Sequence, residues 1–242
     1  MAATAKMFPI LPGMTPAVLE FAEEVLGPRR AEHDESHRVL GLTAEKMWVE
    51  PTNEGDVLII YLEGDDLDKS MRMLGESSHN YDLWFKEKFY TLTGADLCDI
   101  RVAGPAKLEF ESPLVEGRVP GAATATAFHV SEGRLDDFQR FLKDELGGAH
   151  ADAYRDYLTR FGITRERFYL DLTPKGERVV LYIEGDDPAG AVTRFARSSH
   201  PFDAWLREEM LYLNGIDYIR RQTAPPPHLI LDWKAPAREK AA

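Results

Sequence analysis

The sequence predicts an α+β protein made of two copies of one βαββαβ unit, and three observations predict it. The chain matches itself at a constant offset of 121 residues: Tyr61-Leu62-Glu63-Gly64-Asp65-Asp66 returns as Tyr182-Ile183-Glu184-Gly185-Asp186-Asp187, and Ser77-Ser78-His79 as Ser198-Ser199-His200. Asp82, Trp84, Gly94 and Asp96 return as Asp203, Trp205, Gly215 and Asp217, and roughly a third of positions from Gly41 to Asp96 equal their counterparts without a gap, which marks an internal repeat. The apolar pattern then alternates between strand spacing and helix spacing in the same order in both halves. Finally, 44% hydrophobic and 10% aromatic residues are enough to bury a core.

Each element follows from local chemistry. Met7 to Leu11 is a short apolar strand ended by Pro12-Gly13. Thr15-Pro16 reads as a cap followed by proline at the first helical position, with Val18, Phe21, Ala22, Val25 and Leu26 at helical spacing. Gly27-Pro28 breaks that helix, which resumes toward Leu40 and stops at Gly41. Met47-Trp48-Val49 and Val57 to Leu62 are strands joined by a turn at Asn53-Glu54-Gly55-Asp56. Asp65 or Asp66 caps a second helix through Leu74, a third helix runs from Asn80 to Leu92, and an extra short helix precedes the last strand. That strand is Leu108-Glu109-Phe110, matched by Leu229-Ile230-Leu231.

This order is the ferredoxin-like split βαβ arrangement, a four-stranded antiparallel sheet with helices on one face. The bare face must be hidden, and a second similar unit is the simplest cover. On these residues each half resembles the dimeric α+β barrel superfamily and its antibiotic-biosynthesis-monooxygenase-like members. Closest are small uncharacterised ones with a Gly-Ile/Leu-Thr turn, a Glu-Gly-Asp-Asp strand end and a Tyr/Phe-Asp-x-Trp helix. The resemblance implies two tandem ferredoxin-like repeats packed as an intrachain dimeric α+β barrel, the usual partner subunit being fused in the same chain. Residues 1–114 form the first repeat, 115–124 a Pro-, Gly- and Ala-rich linker, and 125–242 the second, with an extended tail that frays beyond Ala235. Further homo-oligomerisation stays open.

Charge narrows the function classes. The net charge of −12 opposes nucleic acid and anionic membrane surfaces, which need a concentrated positive footprint. The acidity sits mainly in the first half, net −10 over residues 1–120 against −2 thereafter. One cysteine, Cys98, and the absence of a long apolar run predict a soluble, cytoplasmic protein.

The candidate site residues lie where the halves differ. His33, His37 and Leu40 share the helix face directed at the sheet, and the second half places Tyr154, Leu158 and Phe161 there. His33-x-x-x-His37 can present two imidazoles to one metal ion, but a third ligand has to come from a strand, so no metal is assigned. His129, between Phe128 and Val130, faces opposite to both; it lines a pocket with Tyr154 and Tyr157 or lies exposed at a sheet edge. The Ser-Ser-His-x-x-Asp segments read as helix starts, with Asp203 in the first turn, and the Glu-Gly-Asp-Asp segments as strand ends passing into a cap. Trp84 and Trp205 read as core anchors.

No Gly-rich phosphate loop, nucleophile elbow or cofactor fingerprint is present, and no cofactor is assigned. The expected function is binding of a small organic molecule in a helix–sheet pocket by His33, His37, His129, Tyr154 and Tyr157. The resemblance implies an alternative, a cofactor-independent monooxygenase-like enzyme acting on an aromatic or polyketide-like substrate. A lesser alternative is a haem protein of chlorite-dismutase-like architecture, with His129 or His200 as proximal ligand.

Overall fold

Gly41 and Gly162 adopt φ of 73° and 70°, a conformation that side chains resist, so in each half a helix stops there and the chain turns into a long strand. The computed structural model describes residues 2–115, 121–173, 176–221 and 225–236. Its first half runs β1 (Ala2–Pro9), α1 (Thr15–Leu26), α2 (Arg30–Leu40), β2 (Leu42–Thr52), β3 (Gly55–Gly64), α3 (Leu67–Glu76), α4 (Asn80–Thr93), α5 (Ile100–Ala103) and β4 (Lys107–Glu111). The second continues with β5 (Ala122–His129), α6 (Leu135–Arg140), a π-helical stretch over Phe141–Ala149, α7 (Ala151–Phe161), β6 (Ile163–Thr173) and β7 (Gly176–Gly185). It ends with α8 (Pro188–Arg197), α9 (Pro201–Asn214), α10 (Tyr218–Arg221) and β8 (His228–Lys234).

Most of the expected local chemistry is present. Asp66 and Asp187 cap α3 and α8, accepting from the backbone N–H of Lys69 and Gly190 at 3.0 Å each. Asp82 and Asp203 sit in the first turns of α4 and α9. Thr15 differs from its expected role: it is the first residue of α1, makes no side-chain cap, and donates its hydroxyl to Asp56 at 2.5 Å.

The sheets are both four-stranded and antiparallel, ordered β1-β3-β2-β8 and β4-β6-β7-β5. The last strands are therefore exchanged: β8 pairs with β2, and β4 pairs with β6. The compact units are Met1–Pro105 with His228–Ala242, and Ala106–Pro227. This corrects the contiguous division at 1–114 and 125–242. Leu108-Glu109-Phe110 and Leu229-Ile230-Leu231 are near-equivalent apolar segments, so propensity makes each a strand without choosing its partner edge. The linker expected at 115–124 gives way to β5 at Ala122, and residues 116–120 lie outside the described residues, as does the tail beyond residue 236.

Each unit buries its own core between helices and sheet. In the first, Phe8, Phe21, Leu58, Met71, Phe85, Phe89, Leu231 and Trp233 pack together; in the second, Phe138, Leu158, Phe168, Val179, Phe195 and Leu206 do so. Among the described residues no helix is long and apolar enough to cross a membrane.

Candidate functional site

One carboxylate position, repeated in both units and given different partners in each, organises the polar groups of the core. The register of β2 shifts between Leu42 and Ala44, and that of β6 between Ile163 and Arg165, so a bulge falls at Thr43 and again at Thr164. Bulges re-aim the side chains that follow. Two residues on, Glu45 and Glu166 turn toward the helices, each only 3% exposed.

In the first unit Glu45 meets α2. The spacing of four residues stacks the His33 and His37 rings, with centroids 3.8 Å apart. Their Nε2 atoms lie 2.8 and 2.9 Å from the same oxygen, Glu45 Oε2. Burial by itself pushes the Glu45 carboxyl up, but the two imidazoles outweigh it and hold the group at about 2. The carboxylate is thus ionised and only accepts, so each imidazole donates its Nε2–H, which leaves Nδ1 of both rings buried without a hydrogen-bond partner. Trp233 of the exchanged strand stands edge-on to both rings, at 5.3 and 4.7 Å, and donates its indole N–H to Asp34 at 2.6 Å. Its counterpart at the offset of 121 is Ser112, so the second unit has no ring at this place.

In the second unit α7 supplies phenols. Tyr154 and Tyr157 donate to Glu166 Oε2 and Oε1 at 2.6 and 3.3 Å. Burial pushes Glu166 up to about 7, only partly offset by the two tyrosine hydrogen bonds. Burial and Glu166 together push both phenols well above their ordinary value, so they remain O–H donors.

The raised Glu166 value has a pH consequence. The folded state holds the proton better than the unfolded chain, so this contribution to stability is full below pH 4.5 and is lost as pH rises through about 7. The shift corresponds to about 3 kcal/mol. Glu166→Gln is expected to flatten the decline between pH 5 and 8 and to be the more stable protein at pH 8, as read by urea unfolding. An unchanged slope would contradict this origin.

A cavity of about 60 Å³ borders the Glu45 cluster, several times the ~10–15 Å³ one water needs. Its apolar wall includes Phe8, Leu40, Ile60, Met71, Phe85 and Phe89. Its polar lining is Thr4, Lys6, Ser36, His37, Glu45, Tyr81 and Asp82. Ser36 and Ser77 donate to opposite oxygens of Asp82 at 2.5 Å each, and Lys6 donates to the carbonyls of Val102 and Gly104 at 2.8 and 2.9 Å. The Tyr81 hydroxyl is buried without a hydrogen-bond partner, and burial pushes its phenol far above the ordinary value, so it stays protonated.

The structure brings His33 and His37 together on Glu45, and Tyr154 and Tyr157 together on Glu166. It does not bring His129 to either group: His129 is exposed at the end of edge strand β5, opposite Arg178. The pocket role considered for His129 is thereby corrected, since only its neighbours Phe128 and Val130 turn inward. His200, the other residue considered for haem, is exposed at the start of α9. Sequence reasoning missed Glu45, Glu166, Tyr81 and Trp233. The signal for the glutamates was available: Thr43-x-Glu45 and Thr164-x-Glu166 are identical at the repeat offset and begin two residues after the helix-stopping glycine.

No protein-family model matches the chain, and no curated protein matches it. Solved structures do. A "putative monooxygenase" from Fusobacterium nucleatum subsp. nucleatum ATCC 25586 aligns with a TM-score of 0.50 at 9% identity, over 96% of this chain and 93% of that one. An "anthrone oxidase-like protein" aligns at 0.48 and 14% identity over 99% and 95%. A "putative monooxygenase" from Lactobacillus acidophilus NCFM aligns at 0.46 and 11% identity over 96% and 94%. The likeness at 0.50 is one of fold: α+β, with two four-stranded antiparallel sheets and helices.

Proposed function

We propose that the first unit binds a small organic molecule, a ring bearing one or two hydroxyl or carbonyl groups, in the cavity between α2, α3, α4 and the sheet. The observation that carries this reading is the pair of orphaned polar atoms on the cavity-lining residues Tyr81 and His37, the phenol Oη and the imidazole Nδ1. A buried polar atom without a partner costs about 1–3 kcal/mol, and a ligand hydroxyl or carbonyl reaching it would recover that cost. The apolar wall then takes the ring. Calorimetry with phenol and hydroquinone tests it: wild type is expected to bind, and Tyr81→Phe, which removes only the hydroxyl, to bind at least tenfold more weakly. Equal affinities, or no binding to wild type, would refute the reading.

A second reading, oxygenation of such a molecule without a cofactor, is favoured by the His37–Glu45 pair. His37 Nδ1 can take a phenolic proton while Glu45 steadies the imidazolium that forms, as a carboxylate orients a catalytic base. The fold likeness to a protein described as a monooxygenase accords with this chemistry. Oxygen uptake with anthrone and hydroquinone, in chelator-treated protein and in His37→Asn, is the test. Turnover lost in the variant supports the reading, and turnover absent in wild type removes it.

A further inference from the structure

We propose that His33, His37 and Glu45 form a binding site for one divalent transition-metal ion, of the zinc, iron(II) or cobalt(II) class. The proposal goes beyond the small-molecule reading and stands whether or not the cavity takes an organic ligand. Each of the three residues offers a ligand atom, all within 4.8 Å of one another, and the residues are 0%, 5% and 3% exposed. Metal–nitrogen and metal–oxygen bonds of ~2.0–2.2 Å put neighbouring ligand atoms ~3 Å apart at the near-right angles of a six-coordinate ion and ~3.4 Å apart in a tetrahedron. The Nε2-to-Oε2 separations of 2.8 and 2.9 Å already match the edges of the six-coordinate polyhedron. Two imidazoles with one carboxylate are a donor set borderline divalent ions prefer, whereas calcium and magnesium require oxygen.

The scaffold is rigid where a metal site needs it to be. Both histidines come from consecutive turns of α2, the carboxylate from the strand behind a bulge, and Trp233 closes the outer side of the rings. Ligation through Nε2 leaves each ring its Nδ1–H, and both Nδ1 atoms are buried without a protein hydrogen-bond partner. His37 and Glu45 also line the cavity, so an ion held between them would keep its remaining positions on the cavity side, the open arrangement of a reactive rather than a closed structural site. The second unit is the internal control, because Tyr154 stands at the position of His33 and Leu158 at that of His37.

The probe is cobalt(II) added to chelator-stripped full-length protein, read by visible absorption and by calorimetry. One equivalent per chain is expected, with visible d–d bands. His37→Asn and Glu45→Gln should each weaken binding at least a hundredfold while circular dichroism stays native, and His129→Ala should not change it. Where a variant fails to fold, nitrogen-15 imidazole spectra of the wild type with zinc(II) decide: resonances of His33 and His37 move on addition, and those of His129 and His200 do not. Cobalt(II) binding that survives in the folded variants, or zinc(II) that leaves the His33 and His37 resonances in place, would overturn the proposal.

Discussion

Ending the chain at Pro227 is expected to unfold the first unit and to leave the second largely native. The residues removed follow the second repeat in sequence, but β8 is the edge strand of the first sheet, paired with β2 from Ala44 to Val49. Leu231 and Trp233 are each 1% exposed in the first core, and full burial of such side chains contributes about 1.5–3 kcal/mol apiece. With the paired backbone and the cover over His33 and His37, the loss approaches the whole 5–15 kcal/mol stability of a domain. Hydrogen exchange distinguishes the cases: protection should vanish from α2, β2 and β3 and persist in β6 and β7. Protection lost first from β6 and β7 would mean that the last strand serves its own repeat.

Replacing Arg160 with methionine is expected to cost about 3–5 kcal/mol, because it strands a buried charge. Asp203 is fully buried and takes two hydrogen bonds from the Arg160 guanidinium, at 2.9 and 2.7 Å, with a third from Ser198 at 2.5 Å. Burial raises the Asp203 carboxyl, and these partners reverse the effect and hold it below its usual range. The Arg160→Met, Asp203→Leu double variant should recover at least half of the loss, since a pair removed together leaves no uncompensated charge. Urea unfolding at pH 7 measures both. A single-variant loss below about 1 kcal/mol would show that the pair acts as an ordinary surface bridge. The repeated Asp82 keeps the equivalent serine, Ser77, as a donor but takes the Ser36 hydroxyl where Asp203 takes the Arg160 guanidinium, so one of the two partners differs between the halves.

That pattern explains what could be read from the sequence. Features that depend on a few adjacent residues were legible: the glycine stop at 41, an aspartate cap at Asp65 or Asp66, the turn at Gly55, and Asp203 in the first turn of its helix. The strand exchange was not, because pairing is decided between two segments 121 residues apart whose compositions are nearly alike. The histidine pair could be placed on the sheet-facing side of α2 from its spacing. Its partner could not, since a glutamate in a strand ordinarily marks the solvent side, and only the bulge at Thr43 turns Glu45 inward. His129 obeyed strand alternation, but alternation does not say which face is covered. Tyr81 was visible only as part of the Tyr/Phe-Asp-x-Trp segment, and burial of its hydroxyl without a partner depends on the packing of residues distant in sequence.

The two units put one carboxylate to different uses. Glu45 is held at about 2 by imidazoles beside a cavity, and Glu166 at about 7 by burial beneath two phenols. The first of these, with Tyr81, is the proposed ligand site. Chemical-shift mapping of the full-length protein with hydroquinone is expected to show saturable shifts confined to His37, Tyr81, Phe85, Met71 and their neighbours, with Tyr154, Tyr157 and Glu166 unmoved. Shifts centred on the second unit, or none at millimolar hydroquinone, would rule out a ligand site at Glu45.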